Sequence, residues 1–209
     1  PGGLVAFVRR DGGVLAAPFD AKTLRFTRPP TPVLDGVRSS FVTTEMVVSA
    51  NGSAIYISGG GVSNGSEQAE PVWVTRSGVT TPIDSAWRVG VPARTLGSLG
   101  KRLAISPDGN RLALSTLRTG SATDEDVWIK QLDRAPFTFT KLTFEGTNSN
   151  PVWTADGRSV VYTSGGLTTG HGTIRRRRAD GTGAADTLVA LPLRGINDVV
   201  LTPDSTQFI

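Results

Sequence analysis

The stretch LAISPDGNRLALST, Leu103 to Thr116, runs an apolar segment into Pro-Asp-Gly and leaves through a second apolar segment. The same pattern returns as MVVSANGSAIYIS at Met46–Ser58, NPVWTADGRSVVYTS at Asn150–Ser164 and DVVLTPDSTQFI at Asp198–Ile209. Each copy places a Ser or Thr at the end of the first segment: Ser49, Ser106, Thr154 and Thr202, spaced by 57, 48 and 48 residues. Asn and Asp followed by Gly tolerate the positive φ of a tight two-strand turn. Pro107 and Pro203 preset φ just ahead of it. The structural turn residues are therefore Asn51, Gly52, Pro107, Asp108, Gly109, Asp156, Gly157, Pro203 and Asp204.

The rest of each unit repeats as well. A third segment reads VWVTRSG (Val72–Gly78), VWIKQLD (Val127–Asp133) and IRRRRADG (Ile174–Gly181). A fourth reads VTTPI (Val79–Ile83), FTKLTF (Phe139–Phe144) and DTLVAL (Asp186–Leu191). Four strands on a period of about 40–50 residues are the pattern of β-propeller blades. In NRLALST, Leu112 and Leu114 face one way, and small residues Ala113 and Ser115 the other. A sheet apolar on both faces fits a blade held between two neighbours. Trp73 and Trp128 hold equivalent positions and, with Trp153, are read as packing between blades. No stretch keeps a helical period over three turns, so almost no helix is expected.

The expected fold is all-β, a partial propeller of four-stranded antiparallel blades. Approximate blades are 1–40, lacking its first strand, then 41–100, 101–148 and 149–196, and a truncated 197–209. LVAFVRRDGGVLAAPFD (Leu4–Asp20) reads as the second and third strands of the first. The 57-residue spacing reflects a long connection, Ser85–Gly100.

Composition narrows the chemistry. The chain has 209 residues, 38% of them hydrophobic, with 25 Gly, 13 Pro and no Cys. Disulfides, thiolate metal sites and cysteine nucleophiles are excluded. A formal net charge of +4 argues weakly for anions and does not point to nucleic acid. No window reaches the roughly 18 apolar residues of a membrane span, and no signal peptide is visible.

His171 is the single histidine, in the Gly-rich SGGLTTGHGT, and reads as an exposed loop residue. No G-x-S-x-G elbow is present to partner it. Asp124-Glu125-Asp126 lacks the alternating ligand spacing of a calcium loop and reads as a solvated turn, its last aspartate bonded to backbone. Arg175–Arg178 alternates across a strand: two arginines are free to form an exposed patch, and two to pair with carboxylates of an adjacent blade. No catalytic, cofactor-binding or metal-binding residue is assigned. The loops Gly59–Glu70, Leu117–Asp126 and Ser164–Thr173 should share one rim, the expected surface for a protein or small ligand.

LTFEGTNSNPVWTADGRSVVYTS (Leu142–Ser164) and LAISPDGNRLALST resemble the WD-like, TolB-like β-propeller repeat. DVWIKQLDRAPFTFTKLTFEGTNSNPVWTADG, RRRADGTG and the opening LVAFVRRDGGVLAAPFDAKTL resemble the propeller found C-terminal to bacterial serine/threonine protein kinases. That resemblance implies a noncatalytic sensor or interaction module, outside the cytoplasm and joined to a kinase through a membrane span. The kinase motifs themselves are not in this sequence. Two other settings remain open: the substrate gate of a prolyl-oligopeptidase-like serine peptidase, and a free-standing periplasmic propeller of the TolB type. Asn51 and Ser205 depart mildly from the repeat, which usually has Asp and Gly there.

Overall fold

The structure is a computed structural model, which describes residues 3–9, 11–37, 44, 46–48, 54–58, 67–75, 78–91, 103–121, 123–133, 138–166, 171–192, 195–196 and 198–207. Its regular elements are all strands. Sheet one holds β1 (Gly3–Val8), β2 (Val14–Asp20), β3 (Arg25–Phe26) and β4 (Thr31–Leu34). Chain order then gives β5 (Met46–Val48), β6 (Ala54–Ile57), β7 (Glu67–Ala69), β8 (Pro71–Val74), β9 (Thr80–Pro82) and β10 (Val89–Val91). Sheet two is β5-β6-β8-β9, while β7 and β10 pair apart as a two-stranded ribbon. Sheet three is β11 (Leu103–Ile105), β12 (Arg111–Leu117), β13 (Glu125–Gln131) and β14 (Phe139–Lys141). Sheet four is β15 (Asn148–Trp153), β16 (Ser159–Gly166), β17 (His171–Arg178) and β18 (Asp186–Leu191).

Sheets two, three and four run up and down in sequence order, and every pairing is antiparallel. Sheet one differs: β1 pairs β2, and both β3 and β4 pair β2 on its other side. The fold is therefore all-β, a partial propeller of four-stranded antiparallel blades.

The two-faced pattern of β12 is realised in the packing. Leu112 and Leu114 are buried in one core with Ile55, Ile57, Trp87 and Val89 from the sheet-two side. Ala113 lies in another core with Val127, Trp153, Val160 and Tyr162, between sheets three and four. Val14, Val37, Tyr56 and Val72 join sheets one and two. Val199 is buried with Val161 and Ile174, so the segment after β18 covers the far face of sheet four. Each large apolar side chain shut into such a seam contributes about 2 kcal/mol relative to exposure. The ribbon of β7 and β10 has no counterpart in the repeat. It is formed by the inserts that make the first spacing long.

Candidate functional site

Up-and-down strands give each sheet two unlike ends. Connections from first to second strand and from third to fourth lie at one end, here the turn end. Connections from second to third strand, and crossovers to the next sheet, lie at the other, here the loop end.

The turn end is built from one local device. In sheet three the Ser106 hydroxyl donates to Asp108 Oδ1 and accepts from Arg111 N–H at 2.9 Å. Asp108 Oδ1 also accepts from Asn110 N–H at 3.1 Å, and Gly109 closes the turn at φ 77°. Sheet four repeats it with Thr154, Asp156, Arg158 and Ser159, and Gly157 at φ 64°. Residues 202–207 repeat it again with Thr202, Asp204, Thr206 and Gln207. Ser205 takes the glycine's place at φ 57°. The hydroxyl bond, followed by backbone N–H bonds, pulls Asp156 below the usual carboxylate range and Asp204 down to about 2. The Ser106 bond likewise lowers Asp108 against its partial burial. Neighbouring tips also touch. Arg111 Nη2 donates to Gly157 O at 2.8 Å with its Cζ 4.6 Å from the Trp153 ring centre, and Ala155 N–H donates to Ser205 Oγ at 2.7 Å. Asn51 and Gly52 lie outside the described residues.

At the loop end the chemistry is long-range. Asp126, at the start of β13, has a side chain only 1% exposed. Arg118 donates to it through Nε at 3.0 Å and Nη2 at 3.1 Å, Lys141 Nζ lies 2.7 Å away, and Thr143 Oγ1 donates at 3.4 Å. Burial pushes the Asp126 carboxyl up, but the Arg118 and Lys141 bonds outweigh it and leave it lowered. Arg118 also donates to Gly146 O, and Thr147 Oγ1 donates to Asp124 Oδ1 at 2.8 Å. The 118–124 connection is thereby fastened to the crossover into sheet four. The expectation of a solvated turn is corrected here: the carboxylate of Asp126 is buried and neutralised by two cations, its partners being side chains rather than backbone.

The arginine run also differs from expectation. Arg176 pairs with Asp186 at 3.0 Å and Arg178 with Asp180 at 2.6 Å, both carboxylates of the same repeat unit. Arg175 and Arg177 face sheet three, and neither forms an ion pair among the described residues. His171 is exposed at the start of β17. Residues 59–66 and 167–170 of the candidate loops lie outside the described residues.

Trp153 donates Nε1–H to Ala104 O of the neighbouring sheet at 2.9 Å. Trp73 packs partly buried against the core between sheets two and three. Trp128 stacks on Phe139 of its own sheet with ring centres 4.6 Å apart. Sequence reasoning missed Trp87, buried in that core, edge-on to Phe139 at 5.4 Å and capped by Lys130 Nζ at 4.9 Å. It lies in the long connection, where no repeat position marks it. Among the described residues no group of three His, Asp or Glu is placed to hold a metal ion, and no helix is long and apolar enough to cross a membrane.

No protein-family model and no curated protein matches the sequence. Solved structures do. A chain in the nidogen/laminin complex aligns with a TM-score of 0.66 at 13% identity, over 99% of this chain and 69% of that one. TolB from Acinetobacter baumannii aligns with a TM-score of 0.60 at 13% identity, over 99% of this chain and 48% of that one. A protein of Agrobacterium tumefaciens described as a TolB aligns with a TM-score of 0.54 at 19% identity, over 90% of this chain and 62% of that one. This chain thus spans less than two thirds of either TolB protein. At these identities the likeness defines the fold class, a β-propeller.

Proposed function

We propose that this segment is a noncatalytic binding module that recognises a protein partner through its loop end, as the extracytoplasmic sensor part of a bacterial receptor-type serine/threonine protein kinase. One observation carries the binding face. The first-to-second connections span 49–53, 106–110 and 154–158, always the same length, whereas the second-to-third connections span 58–70, 118–124 and 167–170. A constant frame at one end with unequal loops at the other is how rigid folds present recognition surfaces. The Asp126 cluster supports the same reading, because it holds the 118–124 loop against the crossover and lowers the ordering cost of a partner. The nidogen/laminin structure is of a complex, which supports protein recognition by this architecture. The kinase setting and the placement outside the cytoplasm rest on the sequence resemblance.

A photo-crosslinking side chain placed at Thr119, on the loop end, should yield a discrete protein adduct in cells that make the protein. The same side chain at Asn110, on the turn end, should not. Equal adducts from both ends, or none from Thr119, would overturn the assignment of the face. The kinase setting is tested by the flanking coding region. An upstream kinase domain and membrane span support it, and a downstream α/β-hydrolase domain overturns it in favour of a peptidase gate.

A further inference from the structure

We propose that Arg175 and Arg177 form an oxyanion-binding site at the outer edge of the seam between sheets three and four, taking a carboxylate or phosphate group. In β17, Arg175 pairs across from Tyr162 and Arg177 from Val160. Paired residues share a face, so both arginines lie on the side that packs with Val127, Ile129 and Leu142 of sheet three. The other two arginines of the run, on the opposite face, are each matched by an aspartate.

The inward pair is built differently. Both side chains are half-buried, and the Nε of each is closed off from solvent with no acceptor among the described residues. Among the described residues, Arg177 Nη2 donates to the carbonyl of Gly181 alone, at 3.0 Å. Its Cζ sits 5.2 Å from the ring centre of Phe144, and Lys141 Nζ sits 5.7 Å from the same ring. Phe144 is itself 61% exposed, so the ring that Arg177 and Lys141 approach is open to solvent. The carboxylates of sheet three and its crossover do not answer the charge. Asp126 is held by Arg118 and Lys141, and Glu145, next to Phe144, forms no ion pair with either arginine. Both arginines act on buried Tyr162, opposing the rise that burial imposes on its hydroxyl.

A half-buried guanidinium without a counter-charge is unfavourable, and two of them two residues apart are more so. An oxyanion removes both penalties, because its oxygens accept several N–H bonds in the planar geometry of the arginine fork. The exposed Phe144 ring beside Arg177 offers a flat surface to whatever carries the anion. The site uses side chains of sheets three and four alone, so free-anion binding succeeds or fails independently of the protein-partner reading.

The test titrates the 209-residue protein, labelled with nitrogen-15 in arginine, with inorganic phosphate and separately with acetate. Arg175 and Arg177 Nε–H resonances should shift saturably, while those of Arg176 and Arg178 stay still. Arg175→Met should weaken binding at least about tenfold, as loss of a bidentate charge-assisted contact does. Arg178→Met should leave it unchanged. Tighter phosphate binding identifies a phosphoryl ligand, and tighter acetate binding an acidic side chain. Either supports the site. Non-saturable shifts, equal shifts at all four arginines, or unchanged binding in the Arg175→Met protein would overturn it. If Arg175→Met does not fold, the resonance titration of the unaltered protein decides alone.

Discussion

The two ends of the sheets solve the same problem, holding a connection in place, by opposite means. At the turn end a hydroxyl, a carboxylate and a left-handed residue within five positions satisfy one another, and the solution is copied three times. At the loop end of sheet three a buried carboxylate gathers Arg118, Lys141 and Thr143, which are separated along the chain and brought together only by strand pairing. Local closure is cheap and repeatable. Long-range closure is particular to one blade and leaves the other loops free to differ.

The sharpest way to break this contrast is Asp126→Asn. The substitution keeps the shape and removes the charge that two cations face. Losing one partner of a buried pair costs about 3–5 kcal/mol, and the lower end is expected here because Arg118 and Lys141 are partly open to water. Urea denaturation at pH 7 reads it, and a loss under about 1 kcal/mol would mean the cluster is ornamental to stability. The pH dependence follows in sign. The folded carboxyl lies below its ordinary value of 3.8, so the unfolded chain binds a proton more readily. Its contribution is complete above that value and is lost as the pH falls through the folded one. The Asp126→Asn protein should therefore lose less stability than the wild type as the pH falls below about 5. The turn aspartates, lowered in the same direction, continue to act in both.

The local device is tested by Ser106→Ala beside Thr154→Ala. Ser106 is 2% exposed and its hydroxyl both donates and accepts, so its loss removes one of the two bonds to Asp108 Oδ1 and leaves the Arg111 N–H without its acceptor. A cost of about 1–2 kcal/mol is expected, against about 0.5–1 kcal/mol at the more exposed Thr154, where water substitutes. Equal costs would show that the hydroxyl matters through turn geometry rather than through burial.

What was legible in the sequence follows the same divide. The turns were visible because every participant lies within a few residues, and the period followed from their spacing. The two-sided burial of β12 was visible in the alternation of Leu112 and Leu114 with Ala113 and Ser115. The alternation of the arginines was visible too, but not their partners: Asp186 and Asp180 stand on the next strand and turn of the same unit, a distinction spacing does not carry. The Asp126 cluster was misread because its cations arrive from β14 and the 118–124 connection, through a register that no repeat position announces. Trp87 and the β7–β10 ribbon lie in inserts, where a repeat by definition is silent.

The smallest expected effect probes where the local device is imperfect. Ser205 holds φ 57° in the position that Gly109 and Gly157 fill in the other two turns. A side chain there costs on the order of 1 kcal/mol, because Cβ crowds the following carbonyl in the left-handed region. Yet Ser205 Oγ accepts the Ala155 N–H from the neighbouring tip at 2.7 Å, an exposed bond that returns part of that cost. Ser205→Gly removes the strain and the bond together and should change stability by less than about 0.5 kcal/mol. Ser205→Ala keeps the strain and loses the bond, so it should be the less stable of the two, by about 1 kcal/mol. Thermal melts of both variants in one buffer read the difference directly. If Ala equals Gly, the backbone at 205 is not left-handed in solution. If Gly falls clearly below the wild type, the contact between tips outweighs the turn's own geometry, and the turn end too would depend on its neighbours.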